Sequence, residues 1–497
     1  MNSWMEIGLW VIYVLPACIL MTFGFNLYLT LFLFARRRHR ARDELEAIHR
    51  DFEQKGFRDQ LPQVVTQIPI YNELNVAERA IRAAAAMEWP ADRHTVQVLD
   101  DSTDGTREVV DAVAADLTAK GYDVQVLRRD QRTGYKAGAL NYGMEQTPAQ
   151  FFAIFDADFV PTRDFLMRTV PVLLTRLKVG IVQARWGHLN AEASLITRAQ
   201  GVGIDGHFAI EQHARAWNNL FMNFNGTAGL WRRAAIEEAG GWEHDTLTED
   251  MDLSYRAQLS GWLPFFVPDL VVPAELPEDI NAFKSQQFRW AKGSIQTAIK
   301  LLPRVLRSHC SALAKFQAVL HLTHYLIHPV MVWLALFALP LLLFTNFHTA
   351  PFLTLAVFGL ILVSAVAPLV LYAVSQLSLY QNGWKRIGLL PLLSVIGVGI
   401  AISNTRAVFE AVVGKDSPFV RTPKRGDRTV MQYSVRMPYV ALMEVALGMY
   451  CFYSLWIYLQ ARTYIVGPFL LLYALGFTTV GLLSIVHGRL QSKWAGP

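Results

Sequence analysis

Apolar positions along the chain fall into runs of two lengths. Long runs occupy about 7–35 and, after residue 316, about 319–345, 351–375, 437–460 and 464–486. A span of the hydrocarbon core needs about 18 or more apolar residues, so each of these predicts a transmembrane helix. A further stretch at 387–413 is long enough, yet Lys385 and Arg386 precede it, while Arg406, Lys415, Arg421, Lys424, Arg425 and Arg428 lie in or after it. Both flanks favour the cytoplasmic side, which predicts a re-entrant or interfacial segment followed by a cytoplasmic loop at 414–436.

Between the first and second spans, over about 36–315, the texture is charged and punctuated by glycine, and the apolar runs are short. "VVTQI" (64–68), "TVQVLD" (95–100), "VQVL" (124–127) and "FFAIF" (151–155) read as strands, with helical patterns such as Gly105–Ala119 and Lys136–Glu145 between them. Strands alternating with helices predict parallel βαβ units, an α/β sheet whose ligands bind beyond the carboxyl ends of the strands. The chain thus divides into an anchor at 1–35, a water-soluble α/β domain at 36–315 with interfacial helices at its end, and a membrane region at 316–497.

Composition sharpens this picture in three places. Hydrophobic residues make up 53% of the 497, too many for a soluble enzyme. The net charge of +5 comes from basic residues crowded at membrane flanks, above all "RRRHRAR" (36–42) after the first span, so the partner is a lipid surface rather than nucleic acid. The same cluster places the soluble domain in the cytoplasm. Cys18, Cys310 and Cys451 are scattered and support neither a disulfide framework nor a thiolate metal site.

The chemistry lies at strand ends. The first strand runs into "PIYNE", with Tyr71 and Glu73; the second ends at Asp100 and Asp101; "FDADF" after the fourth carries Asp156 and Asp158. Two carboxylates in a D-x-D at a strand exit offer hard oxygen ligands suited to Mg2+ or Mn2+ beside a diphosphate. "RTGYKAGALN" (132–141) adds Arg132 and Lys136 at a predicted helix start, where N–H groups favour anions. Further on, "HDTLTEDMDLSYRA" (244–257) sets Glu249 and Asp250 before an amphipathic helix, where acids also simply favour the helix dipole. "KSQQFRWAKG" (284–293) puts Gln286, Arg289 and Trp290 on successive turns of a predicted helix.

In this order, D-D, D-x-D, T-E-D and Q-x-x-R-W inside an insert flanked by spans resemble the processive family 2 glycosyltransferases, the cellulose, hyaluronan, chitin and mannan synthases. "RTGYKAGAL", "FNFNGTAGLWR" and "TEDMDLSYRA" look most like the plant glucomannan and xyloglucan-backbone synthases. The resemblance implies a GT-A fold with a Rossmann-like, mostly parallel sheet. It implies an inverting enzyme that polymerises a β-linked hexose, β-1,4 in the first instance, from UDP-glucose or GDP-mannose and passes the growing glycan through its own spans.

The resemblance also implies roles. Asp100 or Asp101, with Tyr71 and Glu73, would contact the donor nucleotide, and Asp156 and Asp158 would hold the divalent ion. Asp250, beside Glu249, would be the general base. Arg289 and Lys136 would stabilise the departing diphosphate, while Gln286 would fix the helix or the donor. Trp290 would stack on the acceptor sugar, bordered by Asn225, Gly226 and Thr227. The segment 415–428 keeps part of the F-x-V-T-x-K gating-loop spacing but carries Arg421 in place of valine. Two alternatives stand beside the polymerase: a glycolipid-forming transferase similar to ceramide glucosyltransferases, and a non-catalytic subunit. The sequence specifies no accessory export subunit. His321, His324 and His328 share a helical face that is expected to turn to the interface or the glycan rather than to a metal.

Overall fold

The computed structural model describes residues 3–345, 351–415, 426 and 438–494. The soluble domain is built on a seven-stranded sheet: β1 (Val64–Ile70), β2 (His94–Asp100), β3 (Asp123–Leu127), β4 (Phe151–Ile154), β5 (Val179–His188), β6 (Gly229–Arg232) and β7 (Leu263–Ala274). Their spatial order is β3-β2-β1-β4-β6-β5-β7. The first four run parallel, with Val64 opposite His94 and Phe151. β6 alone is antiparallel, to β4 and β5, and β5 is parallel to β7.

Alternation along the strands explains the layers. Val64, Ile68 and Ile70 of β1 face a core shared with helices Ala77–Ala85 and Thr106–Ala119, while Val65, on the other face, packs with Ala137 and Leu140 of helix Tyr135–Glu145. A sheet covered on both faces needs apolar side chains at successive positions, which is why these strands read as continuous apolar runs. β5, β6 and β7 are absent from the sequence reading. β6 has four residues, too few for a pattern, and β7 carries three prolines, Pro264, Pro268 and Pro273, with a break in its register against β5.

Among the described residues, five helices are long and apolar enough to cross a membrane: Ile7–Arg37, Ala312–Phe344, Phe358–Leu379, Tyr439–Gln460 and Tyr464–Arg489. The chain is an integral membrane protein. Gly383–Gly399 and Ala401–Val412 form a further apolar pair bent by 43°. The second half of that pair packs Ala407, Val408 and Ala411 against Ala291 and Ile295 of the Q-x-x-R-W helix, Ile280–Arg307. The soluble domain meets the apolar helices along this 28-residue helix, and also where Ala199 clusters with Ile396 and Ile400, where Ala214 and Leu220 cluster with Leu33, and where Asp205 accepts from Gln376 and Tyr380.

The histidine face differs from expectation. His321 is buried beside the Tyr255 hydroxyl (2.7 Å), His328 is buried beside Asn404 (2.9 Å), and His324 Nδ1 meets the His321 carbonyl (2.7 Å). Protein partners on neighbouring elements turn it inward. The segment 415–428 lies, apart from Lys415 and Gly426, outside the described residues.

Candidate active site

The loops beyond β1, β2 and β4 are tied together by their own polar groups. Asn72, at φ 55°, accepts the Thr103 N–H (2.8 Å) while its N–H reaches Ser102 Oγ (2.9 Å), so the loop of Tyr71 and Glu73 is fixed to the acidic loop after β2. The Glu73 carbonyl opens the next helix by accepting from Val76 and Ala77. Asp100 is fully buried; its oxygens accept the Ser102 N–H (3.0 Å) and Arg128 (2.9 Å), which makes it a builder of the loop. Asp101 pairs with Arg129 through both oxygens, at 3.1 and 2.5 Å. The Arg132 guanidinium lies over the Tyr71 ring, 3.4 Å from its centre. One wall thus presents an aromatic face and arginines, groups that suit a nucleotide.

The D-x-D turn sits against the "FNGTAG" loop. Asp156 N–H donates to Thr227 Oγ1 (2.8 Å), and the Ala228 N–H to the Ile154 carbonyl (2.8 Å). Lys136, the second residue of helix Tyr135–Glu145, donates to Asp156 Oδ1 (2.5 Å) and to the Gly226 carbonyl (2.7 Å). Gly226 has φ 80°, and a Cβ there would stand 2.9 Å from Asp250 Oδ2. A left-handed glycine is therefore needed twice, for its backbone conformation and for the space the Asp250 carboxylate fills. Three sequence-distant charged groups, Lys136, Asp156 and Asp250, are brought to one cleft by these contacts.

Electrostatics carries the same message. Burial, then the neighbouring Glu249 carboxylate, push Asp250 up to about 7, against the pull of Lys136. Burial raises Glu249 as well. Burial works against charged Lys136, but Asp156, Glu249 and Asp250 outweigh it and hold it above the ordinary lysine range. Burial lowers Arg289, opposed by Glu249, Asp156, Asp250 and Asp158, so Arg289 lies within electrostatic reach of both acidic pairs. Asp250 also accepts the Met251 N–H (2.8 Å) of its own helix, Glu249–Leu259.

The Q-x-x-R-W helix approaches the T-E-D turn closely. A Cβ on Gly293 would come within 2.5 Å of Thr248 Cγ2 and 2.8 Å of Thr248 N. Gln286, Arg289 and Trp290 are half-buried on this helix, and Trp290 packs beside Tyr325 and Ala407.

Several contributors escaped the sequence reading. Gln183 of β5, fully buried, accepts the Asn225 N–H (2.9 Å) and donates to the Thr227 and Ala228 carbonyls. His207 meets the Asn225 amide (3.0 Å) and Glu211 (3.1 Å) from a π-helical turn, His207–Gln212, whose Gln212 also donates to Asn225. Such turns gather at functional sites but have no local sequence signal beyond the polar residues themselves. Among the described residues, the one acidic cluster with metal-ligand spacing outside the cleft is Glu243, Asp245 and Asp252, and Lys300 sits within it at 2.5 to 3.0 Å.

Residues 62–293 match the family described as "Glycosyltransferase like family 2". A probable glucomannan 4-beta-mannosyltransferase 7 of Oryza sativa subsp. japonica is 42% identical over 63% of this chain and 54% of its own length. The glucomannan 4-beta-mannosyltransferase 2 of Arabidopsis thaliana is 42% identical over 54% of this chain and 50% of its own. The chain spans about half the length of the curated relatives it matches. A solved mannosyltransferase of Pyrobaculum calidifontis, in complex with GDP-Man and Mn2+, is 19% identical over 80% of this chain and 100% of that one, with a TM-score of 0.46.

Proposed function

We propose, from the match of residues 62–293 to the family described as "Glycosyltransferase like family 2", that the chain is an inverting, processive hexosyltransferase that extends a β-1,4-linked mannan or glucomannan from GDP-mannose. The observation that carries this reading is the shared cleft of Asp250, the D-x-D turn, Lys136 and Arg289, bridged by Gly226. The names of the relatives favour mannose over glucose.

The reaction is a single displacement. An acceptor hydroxyl oxygen attacks the anomeric carbon as the bond from that carbon to the diphosphate breaks, and the electron pair leaves with the diphosphate. Asp250, raised to about 7, takes the hydroxyl proton. Attack from the face opposite the leaving group turns an α-linked donor into a β-linked product. Lys136 and Arg289 meet the charge that grows on the diphosphate. Asp156 and Asp158 are hard oxygen donors at one turn and fit Mg2+ or Mn2+, which when bound supplies further neutralisation of that diphosphate. Trp290 would hold the acceptor ring by stacking while Asn225 and Thr227 border it.

The cluster Arg36–Arg42 after the first span supports a cytoplasmic domain, with the product leaving between the apolar helices. Purified protein given GDP-mannose and Mn2+ alone should make long chains sensitive to a β-mannanase, with GDP released in step. UDP-glucose alone should release less nucleotide. A product of one sugar on an obligatory lipid acceptor would replace the polymerase with the glycolipid-forming enzyme.

A further inference from the structure

The Q-x-x-R-W helix carries two lysines that the chemistry above does not use. Lys284 and Lys292 are fully buried. Lys284 Nζ lies 2.7 Å from the Glu444 carboxylate and 3.2 Å from Ser484 Oγ, and Glu444 is itself fully buried, within the apolar span Tyr439–Gln460. Lys292 Nζ lies 3.4 Å from Glu410 Oε2, on the second half of the bent pair, and donates to the Lys415 carbonyl. At the same helix's start, Asp279 pairs with His487 (3.0 Å) and the Asn281 amide donates to the Ser484 carbonyl (3.0 Å), both on the last span. Three apolar elements therefore grip one helix through polar groups.

Stability alone does not account for such pairs. Taking an ammonium and a carboxylate out of water costs more than their attraction commonly returns, and apolar pairs of equal volume do as well or better. Ionisable groups among apolar helices are expensive enough to mark function. What an ion pair adds is register: the apolar contacts of Ala291, Ile295 and Ala298 are non-directional and let neighbouring helices slide, whereas an ammonium among carboxylate oxygens has one axial position. At 100° per residue, Arg289 lies about 140° and Trp290 about 120° round the helix from Lys284, while Lys292 lies about 60° from Arg289, so the two pairs fix the azimuth and height of the motif from different sides.

We propose that Lys284 and Lys292 are positioning residues: their ion pairs with Glu444 and Glu410 hold Arg289 and Trp290 in catalytic register and make turnover depend on where the membrane helices stand. This rests on the roles given above to Arg289 and Trp290. An enzyme that extends and exports its product then has a mechanical link between the export helices and the reacting end, two contacts long.

The test uses full-length protein in lipid nanodiscs. The paired substitutions Lys284→Met with Glu444→Leu, and separately Lys292→Met with Glu410→Gln, remove the pairs without leaving a buried lysine unmatched. Each should keep the size-exclusion profile and the binding of GDP with Mn2+. Chain elongation per folded protein should fall roughly ten- to hundred-fold, as for a misplaced catalytic group. The ratio of elongation to hydrolysis of the donor by water should also fall, because Trp290 loses the acceptor. A merely structural role would lower both rates in proportion and leave that ratio alone. A folded variant with the wild-type rate and ratio overturns the proposal; if the first pair does not fold, the second decides. Absence of nucleotide release by the wild type with any sugar nucleotide would instead defeat the glycosyltransferase reading, so the two failures are distinct.

Discussion

At the scale of single residues, Asp250 sets the pH behaviour. A base works only when unprotonated, so with its carboxyl held near 7 the rate should fall as pH drops through that value. Glu249 raises Asp250 by like-charge repulsion, so Glu249→Gln should shift the acid limb of the kcat profile to lower pH. Asp250→Asn should cut turnover by about two to four orders of magnitude with nucleotide binding intact; unchanged turnover would remove Asp250 from the mechanism. Gly226→Ala tests the other side of the same carboxylate. Its Cβ meets Asp250 Oδ2 at 2.9 Å in a backbone of φ 80°, so kcat should collapse while the D-x-D turn still binds metal and nucleotide, measurable by calorimetry. The acids of this cleft were legible because each stands in a short motif. Gln183, His207 and Glu211 were not, since nothing in their neighbourhoods distinguishes them from other buried or interfacial polar residues.

Elements show how a local pattern becomes a site. Helix Ile280–Arg307 is legible as amphipathic, and its Asp279 N-cap accepts the Asn281 and Ala282 N–H groups. What it packs against was not legible. Gly293 is the contact point: a side chain there runs into Thr248 on backbone and side-chain atoms alike, so Gly293→Ala should drive the helix from the T-E-D turn. Elongation should drop by about ten-fold or more, with Arg289 displaced from the leaving group. A wild-type rate in that variant would mean the close approach does not matter to catalysis. Strands β1, β2 and β4 were readable because both their faces are covered, and edge strand β3 because Val124 and Val126 alternate with Gln125, whereas β6 lies antiparallel at four residues and draws its definition from β4 and β5 on either side.

For the whole molecule, the path of Gly383–Gly399 and Ala401–Val412 sets the number of crossings. Glu410 is buried against Lys292 at the soluble domain's edge, which supports an interfacial second half and both ends on the cytoplasmic side. Gly383 cannot itself take a probe, since a Cβ there meets the Gln376 carbonyl at 2.2 Å, but Gln381 and Val413 are exposed. Cysteines placed at those two positions should both resist an impermeant thiol reagent in intact cells and react after permeabilisation. External labelling of either one makes the bent pair a full span.

The sequence by itself determined the spans, the α/β alternation and the acids at strand ends, because those depend on hydrophobic period and short motifs, properties of near neighbours along the chain. Tertiary structure alone decided that Gly226 shapes the room for Asp250, that Asp100 is spent on Arg128, and that Lys284 and Lys292 meet Glu444 and Glu410, 160 and 118 residues away. A buried charge finds its partner through packing of whole elements, and the positions of those elements are set by contacts that no local window of sequence contains.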